Sequence, residues 1–88
     1  MHIDVQATVI QIISELLNMT VSEVPADAQL VSDLGFDSMD HIDLLITLEY
    51  EFEIEISDEG AERFRNATAQ EIAAAISNRL KTTTKYIR

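Results

Sequence analysis

The 88-residue chain contains no cysteine, no tryptophan, one proline and two glycines. Without cysteine it has no disulfide, no thiolate zinc site and no cysteine nucleophile of its own, so any thiol chemistry has to come from another molecule. With 47% hydrophobic residues and so little glycine and proline, it is unlike a low-complexity disordered chain. We expect one small domain of three or four helices, with no room for a second catalytic domain.

Positive charge is absent from the first two thirds of the chain. Residues 1–62 hold fifteen acids and no lysine or arginine, whereas residues 63–88 hold all six basic side chains and one acid, Glu71. The net charge of −10 disfavours nucleic acid and steers the acidic part toward basic patches on other proteins. A solvated acidic surface that only confers solubility is the alternative interpretation.

Long hydrophobic runs are missing as well. No stretch approaches the roughly 18 apolar residues that a membrane-spanning helix needs. The start of the chain, Met-His-Ile-Asp, has neither the positive region nor the apolar run of a signal peptide. We therefore expect a cytoplasmic protein without a membrane span.

The spacing of apolar residues predicts four helices. They are expected at about Ile3–Leu17, at Ser38–Phe52, from Ser57 onward over a short stretch, and after Thr68 to about Leu80. Thr68 and Glu71 have the spacing of a capping box and predict the start of the last helix.

Three segments are expected to lie outside the helices. Residues 18–37 predict a long loop held on the core by scattered apolar side chains. Residues 53–56 alternate as a strand does, but four residues without a partner strand favour a connector. Residues 81–88 have no helical period, so a frayed basic tail is expected after a domain of residues 1–80.

The second helix has more apolar residues than one buried stripe requires. Projected at about 100° per residue, they fall on two faces. The first face suits a bundle core and carries Leu44, Leu45, Leu48 and Phe52. The second carries Met39, Ile42, Ile46 and Tyr50, near the acids Asp40, Asp43 and Glu49. It is either a docking surface with an acidic rim or a surface that packs on the loop or the third helix.

Ser38, at the head of this helix, allows several interpretations. A serine there is most often an N-cap whose oxygen accepts a backbone N–H. A Ser38–His41 pair would suggest a hydrolase, but His41 projects toward the core face. Calcium binding is suggested by Asp33, Asp37, Asp40 and Asp43, but the loop of an EF-hand is absent, so at most weak cation binding is expected and no metal site.

The stretch Val31-Ser-Asp-Leu-Gly-Phe-Asp-Ser-Met-Asp40 resembles the acyl carrier protein family. The resemblance continues through Ile42-Asp-Leu44, Leu48-Glu49 and Glu51-Phe-Glu-Ile-Glu-Ile56, and extends from the first helix to Ile76. It implies an all-α fold, a small four-helix bundle with a long loop between helices one and two.

The same resemblance implies that Ser38 is esterified by 4′-phosphopantetheine, delivered from coenzyme A by a phosphopantetheinyl transferase, with Asp37 helping to present the serine. The thiol of that arm would carry acyl groups as thioesters, which suits a chain without cysteine. The chain is then a monomeric carrier and not an enzyme. Its partners would be acyl-transferring and chain-elongating enzymes with basic docking patches.

In this family the second helix is the recognition helix. The resemblance therefore assigns partner contacts to Met39, Asp40, Ile42, Asp43, Ile46 and Glu49. It also implies that the bundle opens enough to shelter an acyl chain, among residues such as Leu45, Leu48, Ile56 and Phe64.

The sequence departs from the family pattern at four positions. Met39 replaces the usual Leu, Tyr50 an acid, Glu53 a Gly and Ser57 a Pro. The departures leave open whether the protein serves fatty acid biosynthesis or is a specialised carrier for polyketide or other secondary acyl transfer. An unmodified acidic helical adaptor is the remaining alternative.

Overall fold

The structure is a computed structural model that describes residues 4–81 and 86–87. Its helices are α1 (Val5–Leu16), α2 (Ser38–Phe52), α3 (Asp58–Phe64) and α4 (Ala69–Leu80), with a 3-10 helix at Val21–Glu23. Two short strands are β1 (Glu55–Ile56) and β2 (Tyr86–Ile87). The predicted all-α four-helix bundle is confirmed.

The helices share one hydrophobic core, in which α1 lies against both α2 and α4. Its largest fully buried side chains are Val9, Ile13, Leu30, Leu44, Leu48, Ile72 and Ile76. They come from α1, α2, α4 and the long loop. Burial of this apolar surface is the main force that holds the loop and the helices together.

The helix ends follow the capping residues. Asp4 caps α1 by accepting a hydrogen bond from the Ala7 N–H at 3.1 Å, so this helix begins two residues later than predicted. Ser57 caps α3, and Thr68 and Glu71 form the predicted capping box of α4. The starts of α3 and α4 are therefore predicted by Ser57 and by the pair Thr68 and Glu71, respectively.

The long loop between α1 and α2 is held by only part of its apolar set. Val24, Leu30 and Phe36 are buried in the core, as expected, whereas Val21 and Val31 are exposed. These three anchors are six residues apart along the segment, so the loop is held on the core although most of it lies outside helices and strands.

The prediction of a plain connector after α2 is wrong at Glu55 and Ile56. These residues pair in parallel with Tyr86 and Ile87. The partner strand lies about thirty residues further along the chain, in a segment too short for its own periodicity to indicate a strand. Tyr86 and Ile87 are thus paired where a frayed tail was expected. Residues 82–85 and 88 of that tail lie outside the described residues, and the domain limit at residue 80 stays a prediction.

Candidate functional site

The head of α2 is capped by Asp37 and not by Ser38. The Asp40 N–H donates to the Asp37 carboxylate at 2.8 Å, and the Asp37 N–H donates to the Asp40 carboxylate at 3.1 Å. The interpretation of Ser38 as the N-cap is therefore wrong. An aspartate caps a helix as well as a serine does, and this one stands one residue earlier, with an acceptor three residues ahead.

Ser38 is consequently the first residue of α2, exposed to solvent and not used by the cap. Among residues 4–81 and 86–87, nothing forms a hydrogen bond with its hydroxyl. The Ser38 and Met39 N–H groups precede the first intrahelical bond of α2, which runs from the His41 N–H to the Asp37 carbonyl. An accessible hydroxyl beside unpaired helix amides fits the attachment of a phosphate ester at Ser38 Oγ.

A closed turn of residues 29–36 leads into this site. The Phe36 N–H donates to the Leu30 carbonyl at 2.9 Å, and the Gly35 N–H donates to the Val31 carbonyl at 3.2 Å. Gly35 has φ +75°, a conformation that residues with a Cβ rarely adopt. Because Leu30 and Phe36 are buried, the turn fixes the position of the backbone just before Asp37.

Asn66, in the connection between α3 and α4, forms side-chain hydrogen bonds with this turn. Its side-chain Oδ1 accepts from the Val31 N–H at 2.9 Å and from the Ser32 N–H at 3.0 Å. Its Nδ2 donates to the Ser32 hydroxyl at 2.9 Å. Sequence reasoning missed Asn66, since the only signal is a polar residue between two helices, and its partners are more than thirty positions away.

The second apolar face of α2 is open to solvent. Met39, Ile42, Ile46 and Tyr50 are exposed by 69, 54, 59 and 82%, respectively. The alternative in which this face packs on the loop or on α3 is therefore wrong. Leu44, Leu48 and Phe52 lie in the core as predicted, and Leu45 packs against it. We refer to the four exposed residues as the exposed face of α2, and its contact with partners stays a prediction.

The acids assigned to partner binding differ in what they already do. The half-buried Glu49 accepts a hydrogen bond from the Ile56 N–H at 2.9 Å and so ties α2 to β1. Asp40 belongs to the capping box. Asp43 is exposed, and its carboxylate has no hydrogen bond within the described part of the chain. Substitution of Asp43 therefore tests the acidic rim without breaking a side-chain hydrogen bond of the fold.

His41 is buried in the core, as its helical projection predicts, with 6% of its surface exposed. Neither ring nitrogen has a hydrogen-bond partner among the residues that the structure describes. Burial lowers the pKa of His41, and the positive charge of Arg65 acts in the same direction. The backbone of Ala61, which is not in hydrogen-bonding geometry with the ring, and the carboxylate of Glu62 oppose this shift more weakly. No hydrogen bond joins His41 to Ser38, which the hydrolase alternative requires.

Three of the four acids that suggested calcium binding accept hydrogen bonds from backbone amides instead. The Asp33 carboxylate accepts from the Gln29 N–H at 2.8 Å, and Asp37 and Asp40 cap α2. Across residues 4–81 and 86–87, no group of three or more histidine or acidic side chains could hold a metal ion. Within the same ranges, every helix is too short or too polar to cross a bilayer.

The residues named for a bound acyl chain lie in the hydrophobic core or directly against it. Leu48 and Phe64 are buried in the core, and Leu45 and Ile56 pack against it. They share one continuous apolar environment, which is the chemistry that an alkyl chain requires. Shelter of an acyl chain among them stays a prediction.

Comparisons with known proteins agree with this geometry. A family model described as a phosphopantetheine attachment site matches residues 7–76. The chain is 38% identical over 78 residues to the acyl carrier protein of Buchnera aphidicola subsp. Schizaphis graminum, covering 89% of this chain and 96% of that protein. It is 44% identical over 63 residues to the acyl carrier protein of Helicobacter pylori strain J99, covering 72% and 76%. The chain belongs to the acyl carrier protein family, whose prosthetic group is a covalently attached 4′-phosphopantetheine.

Proposed function

We propose that the protein carries acyl groups as thioesters on a 4′-phosphopantetheine arm attached to Ser38, for fatty acid or related acyl-chain biosynthesis. The observation that supports the choice of residue is the exposed Ser38 hydroxyl at the start of α2, free of the helix cap. Ser38 also lies within the residues that match the attachment-site family model. The arm, once attached, supplies the thiol that this cysteine-free chain lacks.

Asp37 has a defined part in this proposal. By accepting the Asp40 N–H it fixes the first turn of α2 and leaves the Ser38 hydroxyl free to react. Its carboxylate is held by the backbone, so we assign it a positioning role and no proton transfer. The chain itself acts as a carrier, and the reactions of the acyl group belong to the enzymes that it visits.

Partner docking is proposed for the exposed face of α2 together with its acids. Met39, Ile42 and Ile46 offer apolar contact beside the proposed attachment residue, and Asp43 adds an unpaired negative charge. This combination suits a partner patch that is apolar at its centre and basic at its edge, as expected of the phosphopantetheinyl transferase and acyl-handling enzymes. Asp40 and Glu49 add negative charge while their oxygens hold backbone amides.

The test is the intact mass of the protein after incubation with coenzyme A and a phosphopantetheinyl transferase. The wild-type chain is expected to gain one arm and the Ser38→Ala variant none. Ser22→Ala, which removes another exposed serine hydroxyl, is the matched control and gains one arm. Because Ser38 is not the cap, Ser38→Ala keeps the wild-type circular dichroism spectrum. Modification of Ser38→Ala would refute the choice of residue, and an unmodified wild-type chain would favour the adaptor alternative.

A second experiment separates fatty acid biosynthesis from specialised acyl transfer. The loaded protein is offered, with a malonyl thioester and a nicotinamide reductant, to the condensing, reducing and dehydrating enzymes of fatty acid biosynthesis, and the mass of its thioester is followed. We expect growth of a saturated acyl chain. No growth there, with loading by polyketide enzymes, would support the specialised carrier instead.

A further inference from the structure

We propose that Asn66 is a positioning residue that holds the turn before Ser38 in the conformation in which the transferase accepts the serine. The inference rests on the proposed attachment at Ser38 and adds a residue from a different part of the chain. Asn66 lies between α3 and α4, 34 positions from Ser32, and does not belong to the loop or to α2.

The Asn66 side chain uses both ends of its amide on two consecutive loop residues. The oxygen accepts the N–H groups of Val31 and Ser32, and the nitrogen donates to the Ser32 hydroxyl, all at 2.9–3.0 Å. Three hydrogen bonds from one planar group fix both the distance and the orientation of that part of the backbone. Asn66 is therefore a clamp on residues 31 and 32.

The clamped residues are connected to Ser38 through the turn. The Val31 carbonyl accepts the Gly35 N–H, and the neighbouring Leu30 carbonyl accepts the Phe36 N–H. Phe36 is followed directly by Asp37, which caps α2. A change at residues 31 and 32 therefore reaches the N-terminal end of α2 through two backbone hydrogen bonds and six covalently linked residues.

Loss of the clamp is expected to lower the fraction of molecules in which this turn has the conformation described here, while the fold is retained. Val31, Ser32 and Asn66 are exposed, so water replaces the lost hydrogen bonds, and the buried Leu30 and Phe36 still anchor the ends. The transferase then meets the competent conformation in only part of the molecules. If that fraction falls to about one fifth, the KM for the carrier rises about fivefold while kcat is retained.

The experiment measures KM and kcat of a phosphopantetheinyl transferase for the full-length chain before modification. Asn66→Ala is expected to raise KM about fivefold with kcat within about twofold of wild type. Asn66→Asp is the conservative variant, because its oxygens still accept the two N–H groups and the Ser32 hydroxyl can donate to it. It is expected to restore the wild-type KM. Asn78→Ala, the same change on α4, is the control and leaves both constants unchanged.

Amide hydrogen exchange gives an independent readout of the clamp. In Asn66→Ala the amides of Val31 and Ser32 are expected to exchange faster, while those inside α1 and α4 keep their wild-type protection. If Asn66→Ala does not fold, Ser32→Ala removes one of the three hydrogen bonds and is expected to show a smaller rise in KM.

The outcomes separate the two proposals. An unchanged KM in Asn66→Ala, with normal modification of the wild-type chain at Ser38, overturns the positioning role and leaves the attachment proposal intact. A fall in kcat at constant KM also overturns it. A wild-type chain that receives no arm at Ser38 overturns both.

Discussion

Replacing His41 with leucine removes a polar ring that the core leaves unsatisfied. Both ring nitrogens are buried without a hydrogen-bond partner among the described residues. An unsatisfied buried donor or acceptor costs about 1–3 kcal/mol, so His41→Leu should raise the free energy of unfolding by about that amount at neutral pH. For a domain of this size, each kcal/mol corresponds to about 4–8 °C in the melting temperature.

The pH dependence of stability follows from the direction of the His41 pKa. Burial lowers this pKa below the ordinary value of 6.5, so the unfolded chain binds the proton at a higher pH than the folded chain does. Above pH 6.5 the titration of His41 takes nothing from the free energy of unfolding. As the pH falls from 6.5 through the folded-state pKa, the free energy of unfolding decreases, and below that pKa this loss is complete and no longer changes with pH. Each unit by which the pKa is lowered corresponds to about 1.4 kcal/mol.

Thermal unfolding followed by circular dichroism between about pH 5 and 8 tests both effects. His41→Gln is the control, because glutamine matches leucine in helix propensity, does not titrate and keeps a polar group in the core. In both variants the melting temperature should depend less on pH below pH 6.5 than in the wild type. Only His41→Leu should be more stable than the wild type at neutral pH. His2 is present in all three proteins and therefore does not affect the comparison between them. A leucine variant whose stability has the wild-type pH dependence would contradict the lowered pKa, and one less stable at neutral pH would contradict the unsatisfied ring.

Three further predictions concern the surface and the end of α2. Glu53 directly follows α2 as its C-cap and has φ 53°, where a Cβ is unfavourable, so Glu53→Gly should stabilise the fold by about 1 kcal/mol in chemical unfolding. Glu51→Gly, inside the helix, should destabilise it by a similar amount, and the same sign for both would contradict this account. Asp43→Lys should weaken binding to the transferase at low salt, and the loss of affinity should shrink as salt is added. The control Asp27→Lys should leave the affinity unchanged, and an equal loss of affinity in both variants would argue against a local acidic rim. The melting temperature should rise with moderate ionic strength, since fifteen acids crowd residues 1–62, and a constant value would exclude strong self-repulsion.

Local patterns in the sequence predicted most of the helical structure. A helix from Ser38 to about Phe52 was predicted and α2 has these limits, and the apolar period divided its side chains into two faces, of which the structure buries one and exposes the other. Thr68 and Glu71 located the start of α4, because a capping box is a signal of four consecutive residues. The N-cap of α2 is Asp37 and not Ser38 as predicted, although the spacing of Asp37 and Asp40 contains the same kind of local signal.

Contacts between distant residues could not be read in this way. The pairing of β1 with β2 depends on two residues some thirty positions further on, and no periodicity is visible over so few residues. The hydrogen bonds of Asn66 to the loop join residues 34 and 35 positions apart. The role of Glu49 likewise depends on where the chain returns after α2, since its carboxylate meets the Ile56 N–H.

The proposed function requires that Ser38 bears the acyl-carrying arm. Fragmentation mass spectrometry of the protein isolated from its native cell reports both the modified residue and the acyl species. We predict a single phosphopantetheine ester on Ser38, with part of the population carrying an acyl thioester. An unmodified Ser38 in the native protein, or an arm on any other residue, would contradict the account.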